Sequence, residues 1–309
     1  MKKFFKFYNF IISNLLVASY FLNKKNIKLE NIRFEVVVFS FNRALQLESL
    51  IESLISNLDK KIKINILYKT DKNTIDLYNK LKKRFKNFNN IIFIHQENSF
   101  KISLIKLTKY LNKEKQNNKQ ILFFVDDQIL FKKVKLYALI DLLNYAPIIT
   151  LRLGLNTKKS FNLNKKQNIR NYPYSIKNNS LSWKPLFKND DISYVFSFDS
   201  STIPLKLFNR FSRYLLYKGP NTLESSINYG SFIYKLVGHK IASFLKQHAI
   251  NLVITKVQNE TSNRGDFIDS RELDDLFIKN WKLKIKPTEL ENFDSPHTDT
   301  GYLFEKENI

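Results

Sequence analysis

Two carboxylates stand directly behind a run of five apolar residues in ILFFVDDQIL, residues 121–130. Asp126 and Asp127 would repel each other there, and each is costly to desolvate unless a cation or a donor meets it. Two hard oxygen ligands at a strand end suit Mg²⁺ or Mn²⁺, which are often held by one or two carboxylates plus substrate phosphates. A capping aspartate with its neighbour in solvent explains an isolated pair equally well. The pair is not isolated, however. Ser40, Asn42 and Arg43 lie where the run RFEVVVFSF (33–41) gives way to helical spacing, and a helix start of that kind can hold a phosphate. Arg43 supplies a charge that could pair with a diphosphate. Tyr68, Lys69 and Thr70 end a second apolar run, and Arg152 ends another just before Gly154. An ordinary N-cap accounts for any one of these; their recurrence is harder to set aside.

These residues need a scaffold, and the apolar pattern supplies one. The runs 33–41, 63–70, 91–96, 121–127 and 147–153 carry little polar alternation, as strands buried on both faces do. Between them lie Leu47, Leu50, Ile51 and Leu54, then Ile75, Tyr78, Leu81 and Phe85, at helical spacing. Further helices are expected over 100–113 and 131–145. The result is an α/β array with a central, mostly parallel sheet flanked by helices, in which ligands bind at the carboxyl ends of the strands. Residues 157–190 read as a long polar loop. A strand and then a helix from Pro204 are expected over 192–211, a helix beginning at Pro220 and Asn221, a strand from Asn251, and a helix over 270–281 opening at Ser270. The last twenty residues read as polar surface.

With 43% hydrophobic residues, the 309-residue chain can bury a sizeable core. It contains no cysteine, which excludes disulfides, thiolate metal sites and a cysteine nucleophile. A cytoplasmic setting follows as the expectation. The balance of 51 basic to 28 acidic side chains gives +23. That excess is Lys-dominated, whereas base and phosphate recognition favours Arg. Most of it reads as solvated surface, and no nucleic-acid partner is expected. In residues 1–30, Phe4, Tyr8, Ile11, Leu15, Ala18 and Leu22 share a helical face, with Lys2, Lys6, Asn9 and Ser13 elsewhere. The apolar runs fall short of the ~18–20 residues that span a bilayer. The segment therefore reads as a helix lying on the inner membrane face through residues 1–25, or as one docked on the domain.

VVVFSFNRALQLESL, INILYKT, ILFFVDDQIL and LRLGLN together resemble the GT-A glycosyltransferases, especially family 2-like bacterial members; GPNTLES and VQNETSNRG resemble later blocks of such proteins. The resemblance covers about residues 33–285. It implies a Rossmann-like nucleotide-diphospho-sugar transferase fold over 31–285, with a nucleotide-binding half (31–155), an acceptor half (156–285) and a polar tail (286–309). It also implies a nucleotide-sugar donor, a Mn²⁺ or Mg²⁺ cofactor, and a glycan or lipid-linked acceptor, as in cell-envelope polysaccharide synthesis. By the same resemblance Ser40, Asn42, Arg43, Lys69, Asp126 and Arg152 would hold the donor, while Asp127 and Asp126 would hold the metal. His297 is a further metal candidate. Gln128 stands where many relatives have another Asp. Inverting members use a carboxylate base from the second half; Glu224 is the first candidate, with Asp199 and Asp191 behind it. Gln258, Asn259, Glu260, Asn263 and Arg264 could line the pocket or simply form a turn. The reading from a different class is a non-catalytic module, on a degenerate transferase fold, that binds nucleic acid or membrane through its basic surface.

Overall fold

The computed structural model describes residues 2–22, 32–113, 118–255, 268–290 and 292–306. The chain opens with α1 (Lys2–Leu22), followed by β1 (Arg33–Phe41), α2 (Ala44–Asn57), β2 (Lys63–Lys69), α3 (Ile75–Arg84), β3 (Ile91–His95), α4 (Phe100–Leu111) and β4 (Lys119–Val125). Shorter pieces come next: β5 (Gln128–Leu130), α5 (Leu136–Leu143), β6 (Ile148–Ile149), β7 (Lys159–Ser160), β8 (Lys165–Lys166), β9 (Tyr174–Lys177) and β10 (Ser180–Trp183). The remainder is β11 (Thr202–Pro204), α6 (Leu205–Tyr214), α7 (Pro220–Asn228), α8 (Ser231–Leu236), β12 (Ile241–Phe244), β13 (Ala249–Leu252), α9 (Ser270–Ile278), β14 (Trp281–Ile285), β15 (His297–Thr298) and β16 (Tyr302–Lys306).

The central sheet runs β11-β4-β1-β2-β3, parallel except for β11, which pairs antiparallel with β4. The middles of β1, β2 and β4 are mostly apolar on both sides because both faces of the sheet are covered there. Phe34, Val36 and Val38 of β1, with Leu122 and Phe124 of β4, join the core beneath α2, α3 and α5. Val37 and Phe39, with Ile121 and Phe123, join the opposite core beneath α4 and α6. The α/β fold with a central, mostly parallel, helix-flanked sheet is thus as expected. The chain steps outward from β1 to β2 and β3, then returns to place β4 on the other side of β1. That reversal leaves a crevice at the carboxyl ends of β1 and β4, where open α/β sheets bind ligands.

Beyond β4 the sequence expectations need correction. The strand expected over 147–153 shrinks to β6, which leaves the central sheet and pairs with β12. The expected loop over 157–190 holds a β7–β8 ribbon and a tight β9–β10 hairpin. Asn178 and Asn179, with φ of 48° and 58°, form its two-residue turn; asparagine tolerates the left-handed region that such turns require. No strand forms over 192–199, although Ile192, Val195, Phe196 and Phe198 are buried. Ser200, at φ 45°, bends the backbone just before β11. The helix at Pro204 and the one opening at Pro220 appear as expected. Asp269, rather than Ser270, caps α9 by accepting from the Arg271 N–H. Residues 286–309, expected as a polar tail, are tied in over their described part: β15 pairs with β13, β16 with β14, and Phe293 is buried.

Helix α1 docks on the domain through a mixed face, with Val17 fully buried, Ile12, Leu16, Tyr20 and Phe21 packed against the core, and two polar side chains hydrogen-bonded into it. Asn9 Nδ2 donates to Leu216 O and to Ser226 Oγ, each at 2.8 Å, and Ser13 Oγ donates to Ile227 O. The approach is close: a Cβ on Gly230 would lie 2.6 Å from Val17 Cγ2 and 2.7 Å from Ser13 Oγ. Lys3–Leu22 is also long and apolar enough, by length and composition, to cross a membrane. Run length alone understated it, because Asn9, Ser13, Asn14 and Ser19 interrupt the apolar runs without interrupting the helix.

Candidate active site

Parallel registry sets Phe39 of β1 beside Val125 of β4, so the residues that follow emerge side by side. Asp126 and Asp127 meet a guanidinium there. Arg43 Nη1 lies 3.0 Å from Asp126 Oδ1 and 3.1 Å from Asp127 Oδ2, and Nη2 donates to Thr255 O. Asp126 Oδ2 accepts the Phe41 N–H at 3.0 Å, and Asn251 Nδ2 approaches Asp127 Oδ1 at 3.4 Å. One guanidinium does not satisfy two acids. Burial pushes the Asp127 carboxyl up to about 6; Arg43 opposes the shift, while Asp126 and Asp199 add to it.

The neighbouring strand-end residues divide into framework and open groups. Asn42, at φ 52°, spends its amide on the next loop: Nδ2 donates to Asp71 Oδ2, and Oδ1 accepts from Asp71 N and Thr74 Oγ1. Ser40 Oγ is hydrogen-bonded to Tyr78 Oη, which also accepts the Arg43 N–H. Lys69 is exposed, its Nζ 5.5 Å from the centre of the exposed Phe41 ring. Beside them opens a cleft of ≈ 160 Å³, lined by Phe41, Asn42, Arg43, Thr255, Ser270 and Asp274 among others. The first residues of α2 and α9 both face it, and helix starts favour anions.

Gln128 is a structural residue, fully buried. Its Oε1 accepts the Val125 N–H, while Nε2 donates to Ser200 Oγ and Asn251 Oδ1. An aspartate could accept but not donate, so a third acid at this place would leave Asn251 Oδ1 without its donor.

Residues from beyond β6 close the site. His297 Nε2 lies 3.5 Å from Asp199 Oδ2, and the buried Arg152 approaches Asp199 at 3.9 Å and Asp191 at 3.5 Å. Burial alone would raise Asp199, but the His297 hydrogen bond and the Arg152 charge hold it below the usual range. Glu224 Oε1 accepts the Phe198 N–H at 2.9 Å. Burial, then the Asp199 charge, pushes the Glu224 carboxyl up to about 7. Electrostatic coupling therefore runs from Asp127 to Asp199 and on to Glu224, joining three segments distant in sequence. Among the described residues, the buried Nε of Arg43, Nε of Arg152 and Nδ1 of His297 have no protein partner. The residues expected to hold the donor or the metal or to act as base are all described, and Arg43, Asp126, Asp127, Arg152, Asp191, Asp199, Glu224 and His297 converge. Lys69 stands apart at the strand edge. Gln258, Asn259, Glu260, Asn263 and Arg264 lie outside the described residues.

Sequence reading missed Asn251, Thr255, Tyr78 and Tyr194. Tyr194 is pushed well above the usual phenol range by burial and by the charges of Glu224 and Asp199. Tyr78 was legible only as a helix core position, the other three sit in no recognisable spacing, and each reaches the site through tertiary packing.

The donor set suits a divalent ion that arrives with phosphate. Among the described residues no three acidic or histidine side chains are disposed to hold a metal alone. Two carboxylates completed by phosphate oxygens are a usual Mg²⁺ arrangement. Five carboxylates against Arg43 and Arg152 also leave the site short of positive charge for a diphosphate. Asp126 and Asp127 would hold such an ion once Arg43 yields an oxygen.

No family model matches the chain, and no curated protein matches it. Among solved structures it is similar to S. aureus TarS 1-349 in complex with UDP, at 14% identity and TM-score 0.46, over 72% of this chain and 61% of that one. It is similar to 4-diphosphocytidyl-2C-methyl-D-erythritolsynthase from Anaerococcus prevotii, at 13% identity and TM-score 0.37, over 66% of this chain and 84% of the other. The mannosyltransferase PcManGT from Pyrobaculum calidifontis, in complex with GDP-Man and Mn²⁺, shares 11% identity at TM-score 0.31 over 48% of each chain. This chain spans 61% of the length of that TarS structure. At such identities the likeness concerns the fold alone.

Proposed function

We propose that this protein is a glycosyltransferase of GT-A type, moving a sugar from a nucleotide-sugar donor to an acceptor hydroxyl on a glycan or lipid-linked acceptor. The observation that carries this reading is the convergence of two charged groups on one crevice. Arg43, Asp126 and Asp127 stand at the switch point of the sheet. Arg152, Asp199, Glu224 and His297 arrive from beyond β6.

In this reading the exposed Phe41 ring and the α2 start receive the nucleotide, and Arg43 pairs with its phosphates. A divalent cation held by Asp126 and Asp127 would supply charge neutralisation of the diphosphate leaving group. Glu224 is the base: a carboxyl held up to about 7 is poised to take a proton from the acceptor hydroxyl near neutral pH. Asp199 keeps that carboxyl raised and is itself anchored by His297 and Arg152. Arg152 holds Asp191 on its other side, a positioning role.

The test is a panel of UDP-, GDP-, CMP- and dTDP-sugars with Mn²⁺, read by thermal shift and by release of the nucleotide. Glu224→Gln should keep the thermal shift and lose turnover. A wild-type protein that neither binds nor turns over any member of the panel would refute the assignment.

A further inference from the structure

Helix α1 packs Val17, Leu16 and Phe21 on the domain and still carries a second apolar face that the domain does not cover. Its polar residues Asn9 and Ser13, 4% and 0% exposed, face the domain, whereas Phe4, Leu15 and Leu22, 64%, 60% and 72% exposed, face solvent. Phe7, Phe10 and Ile11 extend this outer face. The apolar surface continues onto the domain. The Phe10 and Phe232 rings lie 6.1 Å apart and the Phe232 and Phe187 rings 5.5 Å apart, and Leu236 and Val237 are exposed on and just after α8. Exposed apolar surface of this extent marks an interaction site.

The charge around it identifies the occupant. Lys3, Lys6, Lys184 and Lys188 are exposed, and Lys235 Nζ sits 5.8 Å from the Phe187 ring centre. No Asp or Glu precedes Glu30, and none occurs between Glu224 and Glu260. Asp190 is an acid whose charge reaches Lys235. Apolar side chains ringed by lysines, with acids nearly absent, complement an anionic bilayer surface, where the apolar groups reach the acyl boundary and lysines meet the headgroups.

We propose that α1, together with α8 and the loop at Phe187, is a membrane-docking face that seats the folded protein peripherally on anionic lipid. Asn9 and Ser13 hold α1 against the domain, so the helix lies along the bilayer surface and does not cross it. The inference does not depend on the proposed activity, and a protein inert toward every sugar donor would still dock.

The test is co-sedimentation of the full chain with vesicles of phosphatidylcholine alone or with about one third phosphatidylglycerol. The expected result is binding to the anionic vesicles only, released by high salt and by alkaline carbonate. Phe7→Glu and Leu15→Glu, both on solvent-facing positions, should each weaken binding about tenfold with unchanged circular dichroism and melting. Lys6→Glu, which touches no core, should weaken it as well. Binding that survives all three substitutions, or equal binding to neutral vesicles, would overturn the proposal. So would retention in the bilayer after carbonate, which means a crossing helix. Self-association that Leu15→Glu abolishes, without vesicle binding, would assign the face to a second copy and equally overturn it.

Discussion

Arg43 Nη1 lies 3.1 Å from Asp127 Oδ2 while holding Asp126 Oδ1 at 3.0 Å, so one guanidinium nitrogen bridges two adjacent carboxylates. All three side chains are largely removed from water. Arg43→Ala leaves two like charges beside each other with their cation gone, and breaking such a buried arrangement costs about 3–5 kcal/mol. Urea unfolding should show that loss, with Arg43→Lys recovering only part because lysine lacks the planar fork. A wild-type midpoint for Arg43→Ala would mean that the bridge contributes nothing to folding.

Cation binding should depend on nucleotide. Mn²⁺ alone must displace Arg43 from the aspartates without phosphate oxygens to complete its shell, so it should hardly move the melting temperature. Mn²⁺ with a nucleoside diphosphate should stabilise strongly, by about 2.7 kcal/mol at a hundredfold excess over Kd. Asp127→Asn should remove this synergy. Strong stabilisation by Mn²⁺ alone would contradict the shared-ligand arrangement.

The Glu224 carboxyl titrates at about 7 in the folded protein against an ordinary 4.5. The folded state therefore holds a proton that the unfolded state releases, and this group makes stability fall as pH rises from 4.5 to about 7, with no further change above. Turnover runs oppositely, rising through about 7 as the base ionises. Glu224→Gln should remove this contribution to the stability slope and lower kcat by about 10²–10⁴-fold. A turnover profile unchanged in shape would exclude Glu224 as the base.

Gln128→Glu retains size but cannot donate to Ser200 Oγ or Asn251 Oδ1. An unmet acceptor in this fully buried place should cost about 1–3 kcal/mol by denaturant titration. An unaltered midpoint would mean that the network tolerates an acid, and Gln128 would no longer be assigned to the framework.

Gly230→Ala puts a methyl carbon against Val17 and Ser13 O, which lies 3.0 Å from that Cβ position. Helix α1 must shift away, at about 1–3 kcal/mol for overpacking. Limited proteolysis should then cut within residues 2–22 faster than in the wild type. Equal cutting rates would show that α1 is held by its hydrogen bonds alone.

The first half of the fold was legible in the residues because the strands of a parallel sheet are buried on both faces. Continuous apolar runs such as 33–41 and 121–127 betray such strands without any knowledge of their partners. Asp126, Asp127 and Arg43 could be placed at strand ends for the same reason. The second half was not legible in this way. Strands β6, β7 and β8 are two residues long, too short for a period, and the Asn178–Asn179 turn makes its hairpin without the glycine that usually signals one. The order of residues showed which side-chain types stood ready and that an α/β sheet would present some of them at one edge. Packing in three dimensions set Arg43 against the two aspartates, and brought Asp199 and Glu224 onto them from 70 or more residues away. It also decided which side of α1 faced out. Periodicity groups residues onto a face, but Asn9 and Ser13 turned inward because Leu216, Ser226 and Ile227 offered them hydrogen-bond partners there.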